Sequence, residues 1–163
     1  MRYAKIRKMD IVNGVGIACS IFFQGCPYHC KGCFNESTWD FNEGMEFTQE
    51  KQDKFIELCN QPFIDCISLL GGEPLAQPND ELLQFVIRLK QEVGKPIFMW
   101  TGDLYENVKN NDIVQHVDTL IDGRFIESLK DVRLHLKGSS NQRVINVQES
   151  MKQNKIITEV NNG

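Results

Sequence analysis

Three cysteines, Cys26, Cys30 and Cys33, fall within the short segment GCPYHCKGCF. Thiols this close together do one of three kinds of work. Offsets of four and three also describe one face of a helix, where free cysteines serve as small buried hydrophobes. Against that, Pro27 and Gly32 disfavour a helix, and Tyr28, His29 and Lys31 give the stretch little apolar support. A structural zinc ion wants four ligands, commonly as two closely spaced pairs. The chain has no second Cys-x-x-Cys, and His29 is the further ligand type inside the loop. A 4Fe-4S cube is ordinarily held by four thiolates, so three close ones leave one iron without a protein ligand, and an open metal position is where chemistry is done. Gly25 and Gly32 would relax the backbone where it passes close to inorganic sulfide. The spacing leaves the core, zinc and iron-sulfur readings open.

A second stretch, Gly71-Gly72-Glu73-Pro74, carries an acid in a glycine-rich turn. It lacks the Gly-Lys-Ser/Thr ending of a phosphate loop, and taken alone it is a turn. Cys19, Cys59 and Cys66 lie scattered in apolar surroundings and read as core residues.

The elements that must position these residues follow from apolar patterning. Ala18 to Gln24, Cys66 to Leu70, Ile97 to Thr101 and Thr119 to Ile121 are short apolar runs, each followed by glycine or a turn signal, and predict buried parallel strands. Thr48 caps a predicted helix running to about Asn60, and Leu82, Leu83, Val86, Leu89 and Val93 repeat at helical spacing up to Gly94. A further short helix is expected over Leu104 to Asn110. Arg133 to Leu136 and Arg143 to Val147 are two more candidate strands around GSSNQR. Strand and helix in alternation give an α/β fold, and both motifs then sit at the carboxyl ends of strands, the functional rim of parallel sheets and barrels. Residues 1–150 are expected to form one domain, followed by a polar tail over 151–163 that frays.

Composition sets the remaining bounds. The 163 residues are 41% hydrophobic and 25% charged, as in a globular protein with a packed core. A net charge of -4 supplies no basic field for nucleic acid. No apolar run approaches the roughly 20 residues a bilayer needs, and MRYAKIRKMD lacks the apolar stretch of a secretory signal. The expected compartment is the cytoplasm, where clustered cysteines serve as metal ligands or catalytic thiols rather than disulfides.

Cys-x3-Cys-x2-Cys after the first strand, with GGEP after the second, resembles the signature of the radical S-adenosylmethionine (SAM) superfamily. The likeness narrows over about Lys5 to Val147. NGVG (13–16), FFQGCPYHCKGCFNESTWDFNEG (22–44), LLGGEPL (69–75), MWTG (99–102), LIDGRF (120–125) and GSSNQR (138–143) look like the family of activating proteins of anaerobic ribonucleoside-triphosphate reductase, a group of glycyl-radical activases. The resemblance implies a partial, open β/α barrel of mostly parallel strands, one 4Fe-4S cluster on Cys26, Cys30 and Cys33, and SAM as second cofactor. Gly71, Gly72 and Glu73 would receive the methionine part of SAM, and Gly32, Cys33 and Phe34 would border the adenine. Reductive cleavage of SAM to methionine and a 5′-deoxyadenosyl radical would generate the reductase's glycyl radical, with a flavodoxin-like electron donor and no protein acid or base. Two positions depart from the pattern: Gly32 stands where an aromatic is usual before the third cysteine, with Phe34 just after it, and Asp103 follows WTG where an aromatic is expected. Asn35, Trp39, Trp100 and Arg143 are further pocket or docking candidates. A full eight-unit barrel takes roughly 200 residues or more, so this chain should leave a side open to a macromolecule. The alternatives are another small radical SAM enzyme, such as a deazaguanine-forming synthase or a different glycyl-radical activase, and a non-catalytic iron-sulfur or zinc module.

Overall fold

A computed structural model describes residues 1–159 as an α/β protein built on one seven-stranded mixed sheet. The strands are β1 (Arg2–Asp10), β2 (Ala18–Phe23), β3 (Met45–Glu46), β4 (Cys66–Gly71), β5 (Ile97–Trp100), β6 (Thr119–Asp122) and β7 (Arg143–Asn146), in the spatial order β3-β1-β2-β4-β5-β6-β7. The centre, β2-β4-β5-β6, is parallel. Antiparallel strands flank it, β1 beside β2 and β7 beside β6, and β3 pairs with the outer edge of β1. All six residues of β2 are buried, which is why it reads as an apolar run broken only by Ser20: a central strand is covered on both faces.

The helices are α1 (Gln49–Cys59), α2 (Asn79–Glu92), α3 (Tyr105–Val108), α4 (Asp112–His116) and α5 (Val147–Gln153). Thr48 caps α1, its hydroxyl accepting from Lys51 N–H at 3.3 Å. In α2, Leu82, Phe85, Val86 and Leu89 recur every three or four residues and are buried. They join Cys19, Ile21 and Phe23 of β2 and Ile67 and Leu69 of β4 in the larger core. Alternate strand residues face the other way, where Ala18, Cys66, Phe98, Ile121 and Val144 pack with Leu136. On that face Asp10 is buried and accepts from Ser20 Oγ at 2.8 Å, and Ser68 Oγ donates to Asn13 C=O. Among the described residues no helix is long and apolar enough to cross a membrane.

Four expectations change. Arg133 to Leu136 is a turn rather than a strand, with Leu136 at φ +67° and its carbonyl accepting from the Trp100 indole. The free edge of β7 is instead occupied by the chain end: Asn146 N–H donates to Ile157 C=O and Glu159 N–H to Val144 C=O. The segment after Ser150 is therefore not frayed where it is described. It continues α5 to Gln153, turns at Asn154 (φ +51°) and returns along β7, while residues 160–163 of the expected tail lie outside the described residues. The helix expected over Leu104 to Asn110 is the shorter α3, with α4 following as a separate turn capped by Asn111. Val147 begins α5 instead of ending a strand.

The strongest ionic contact ties the end of β6 to β7. Asp122, fully buried, receives Arg143 through both Nε (3.0 Å) and Nη2 (2.5 Å) and also accepts from Tyr105 N–H at 2.8 Å. Glu106 also reaches Arg143 Nη2, at 2.9 Å. Arg143→Met strands the Asp122 carboxylate, and chemical denaturation should show a loss of about 2–3 kcal/mol, below the usual range for a buried pair because Arg143 is partly solvated. Asp122→Asn added to Arg143→Met should recover part of that loss.

Candidate iron-sulfur and ligand site

Parallel register brings the two motifs to one edge. Phe23 and Gly71 are paired partners at the carboxyl ends of β2 and β4, so the cysteine loop and GGEP leave the sheet side by side. The loop closes on itself at its neck. Gly25 N–H donates to Thr38 C=O at 2.6 Å and Cys26 N–H to Trp39 C=O at 3.1 Å. The buried Gln24 amide donates to Ser37 C=O (3.1 Å) and Asp40 C=O (2.8 Å), and Gln77 Nε2 donates back to Gln24 C=O at 2.8 Å. Within the loop, Gly25, His29 and Gly32 all have positive φ, so the backbone curls instead of forming a helix. The helical-stripe reading of the three cysteines is thereby excluded.

All six cysteines are free thiols. Cys19, Cys59 and Cys66 are buried within the cores, as expected of packing residues. Cys26 is buried at the neck, where burial pushes its thiol up, while Cys30 and Cys33 are half-buried. Asn35 N–H donates to Cys33 Sγ at 3.3 Å. Among the described residues no three His, Cys, Asp or Glu side chains are gathered closely enough to hold one metal ion. Three soft thiols on one irregular loop, one already receiving a backbone N–H, fit a cluster bound at separate corners.

GGEP is built against that loop. Gly72 N–H donates to Phe23 C=O at 3.0 Å and Glu73 N–H to Gly25 C=O at 2.8 Å. A Cβ on Gly72 would lie 2.5 Å from Gly25 O, and Gly71, at φ +120°, lies equally close to the Phe23 backbone. Asn35 Nδ2 reaches Gly71 C=O at 3.3 Å. Glu73 is only 2% exposed, and burial pushes its carboxyl up to about 7 against the pull of its hydrogen bonds. Those bonds come from Gly102 N–H (2.7 Å), Thr101 Oγ1 (3.0 Å) and Leu75 N–H (3.0 Å).

The family model of a 4Fe-4S single cluster domain matches residues 12–145, a span containing both motifs and all six cysteines. Proteins named anaerobic ribonucleoside-triphosphate reductase-activating protein align over nearly their whole length. That of Salmonella typhi is 43% identical over 150 residues, covering 88% of this chain and 97% of the relative. The Escherichia coli K12 protein is 41% identical with the same coverage. The protein of Enterobacteria phage T4 is 34% identical over 146 residues, covering 88% and 93%. The chain belongs to this family of activating proteins.

In this activating protein the remaining sequence candidates divide into two groups. Phe34, 59% exposed, sits beside the cysteines with its ring 5.1 Å from Phe125, and Lys130 Nζ lies 4.9 Å from its centroid. Gly32 faces Glu127, so residues 124–138 cover one side of the loop. Asn35 belongs to the site through Gly71 and Cys33. Trp39 supports the loop from outside, stacked on His29 at 4.5 Å. Trp100 and Arg143, by contrast, spend their polar atoms on Leu136 and on Asp122 with Glu106. The GSSNQR segment is used the same way: Asn141 Nδ2 donates to Arg124 C=O, Gln142 Nε2 to Gly123 C=O, and Ser139 Oγ accepts from Ile126 N–H. It fastens residues 123–126 to the β7 hairpin. Asp103 caps the turn before α3, accepting from Leu104 N–H and Asn107 Nδ2, each at 2.8 Å.

Three site residues were not singled out individually in the sequence, although Thr101 and Gly102 stand in MWTG and Tyr28 in the cysteine loop. Thr101 and Gly102 hold Glu73, and Tyr28 packs on Gly102, where a Cβ would meet its ring at 2.5 Å. Arg124 lies 4.5 Å above the Tyr28 ring, and burial pushes the phenol up to about 12. An aromatic in the loop followed by a Thr-Gly at a strand end was the available clue.

Proposed function

We propose that this chain activates anaerobic ribonucleoside-triphosphate reductase by generating a glycyl radical on it, through reductive cleavage of SAM at a 4Fe-4S cluster. The observation that carries the reading is the fusion of two motifs: a three-thiol loop and a buried carboxylate joined backbone to backbone at Gly25 and Gly72, in a chain whose relatives bear that reductase's name.

A 4Fe-4S cluster bound there would supply the single electron that cleaves SAM to methionine and a 5′-deoxyadenosyl radical, which would take a hydrogen from a glycine of the reductase. The chain's own residues bind, orient and exclude solvent. Cys26, Cys30 and Cys33 would hold three irons and leave the fourth to the amino acid part of SAM. Gly71 and Gly72, lacking side chains, let this turn close on the neck of the cysteine loop, where the methionine portion is received, and Glu73 takes its ammonium. Gly32, Cys33 and Phe34 border the adenine, with Phe34 offering the exposed aromatic face. No side chain needs to move a proton.

The sheet does not close on itself, with β3 at one end of its strand order and β7 at the other, in keeping with a partial barrel of the radical SAM type whose mouth admits a loop of a large partner. The electron donor is proposed to be flavodoxin-like, and the working compartment the cytoplasm.

The test is anaerobic reconstitution with iron and sulfide, reduction with dithionite, addition of SAM and the purified reductase, and electron paramagnetic resonance. A doublet from a carbon-centred radical on the reductase is expected. Cleavage of SAM without that radical would keep the chemistry and reject the partner; no cleavage by an intact, reduced cluster would reject both.

A further inference from the structure

Glu73 is held by more donors than a turn residue needs. An ionised carboxylate offers about four acceptor positions. Thr101 Oγ1 and Gly102 N–H take two on Oε1, and Leu75 N–H takes one on Oε2. Among the described residues the remaining position, on Oε2, has no protein donor.

The Thr101 hydroxyl is itself oriented. It accepts from Asp103 N–H at 3.1 Å, which turns its single proton toward Glu73. Thr101 is only 5% exposed, so neither group exchanges this partner for water at low cost. Backbone register supplies the meeting: β4 and β5 are parallel neighbours, and their carboxyl ends deliver Glu73 and Thr101 to the same place from 28 residues apart.

We propose that Thr101 is a positioning residue for ligand binding: its hydroxyl, with Gly102 N–H, fixes Oε1 so that the open position on Oε2 meets the ammonium of SAM. This rests on the reading that Glu73 receives that ammonium. Thr101 touches Glu73 and not the ligand. The carboxylate thereby offers one directed acceptor rather than a rotating pair, and the ordering cost is met before the ligand arrives.

The experiment is equilibrium binding of SAM to the reconstituted protein, compared across Thr101→Val, Thr101→Ser and Glu73→Gln, with 5′-deoxyadenosine as a probe that lacks the amino acid portion. Thr101→Val keeps the side chain's shape and removes the hydroxyl. It should bind SAM about tenfold more weakly, about 1.4 kcal/mol, with iron content and 5′-deoxyadenosine affinity unchanged. Thr101→Ser should stay within about twofold of the parent. Three results overturn the inference: a weakened Glu73→Gln beside an unaffected Thr101→Val; a Thr101→Ser as weak as Thr101→Val, which would make the methyl group the cause; or an equal loss for 5′-deoxyadenosine, which would mark general damage. If Glu73→Gln also binds like the parent, the role of Glu73 falls, and that of Thr101 with it.

Discussion

Cys30→Ala protein, reconstituted anaerobically, should retain too little iron to support any reductase-borne radical, a loss of about 100-fold or more in radical yield. The reason lies in how the thiols are divided. Cys30 is half-buried on a loop whose closure rests on backbone and Gln24 contacts, none of which uses the Cys30 side chain. The variant should therefore fold, and circular dichroism and melting close to the parent would separate loss of a ligand from loss of the loop. Cys66→Ala is the control: Cys66 is 2% exposed in the smaller core, and its Sγ contacts the Val15 carbonyl at 3.5 Å. That change should lower stability by about 1 kcal/mol and leave iron content intact. Iron retained by Cys30→Ala and lost by Cys66→Ala would overturn the assignment of the loop as donor set.

What could be read from the amino acids alone depended on how local the cause was. The cysteine loop and GGEP were legible because chemistry and spacing lie within a few residues of each other. β2, β4, β5 and β6 were legible because a central strand buried on both faces is apolar at most of its positions. β1 gave no such signal. Lys5, Arg7 and Lys8 are exposed, the strand is held by pairing along β2, and Lys5 and Arg7 lie over the Phe22 ring at 4.5 and 5.2 Å. Arg133 to Leu136 misled for the opposite reason. Its alternation imitates a strand, yet the edge it would have joined is held by residues 157–159. The contact of Glu73 with Thr101 was invisible because it exists only through the pairing of β4 with β5. Likewise, Arg143 read as a pocket or docking candidate because its partner Asp122, at the end of β6, is reached only through the pairing of β6 with β7.

Gly72→Ala should be strongly damaging, with a loss of about 3 kcal/mol and a melting point lower by about 6–12 °C. The position does not need glycine for its backbone angles, since its φ is not in the left-handed region. It needs the space. An added Cβ meets Gly25 O at 2.5 Å, Gly25 C at 2.9 Å and Thr38 O at 3.0 Å, all backbone atoms of the cysteine loop's neck that cannot rotate away. Relief requires the ends of β2 and β4 to separate, which stretches the 2.8 Å bond from Glu73 N–H to Gly25 C=O. Both motifs shift apart, so SAM affinity should fall along with stability. Gly94→Ala makes the contrast. At φ +73° after α2, with its nearest neighbour Lys90 O at 3.8 Å, it has room but an unfavourable backbone, and should cost about 1–2 kcal/mol with ligand affinity unchanged. If the two variants lost stability equally and both kept SAM affinity, the close approach of Gly72 to Gly25 would not be what joins the two motifs into one site.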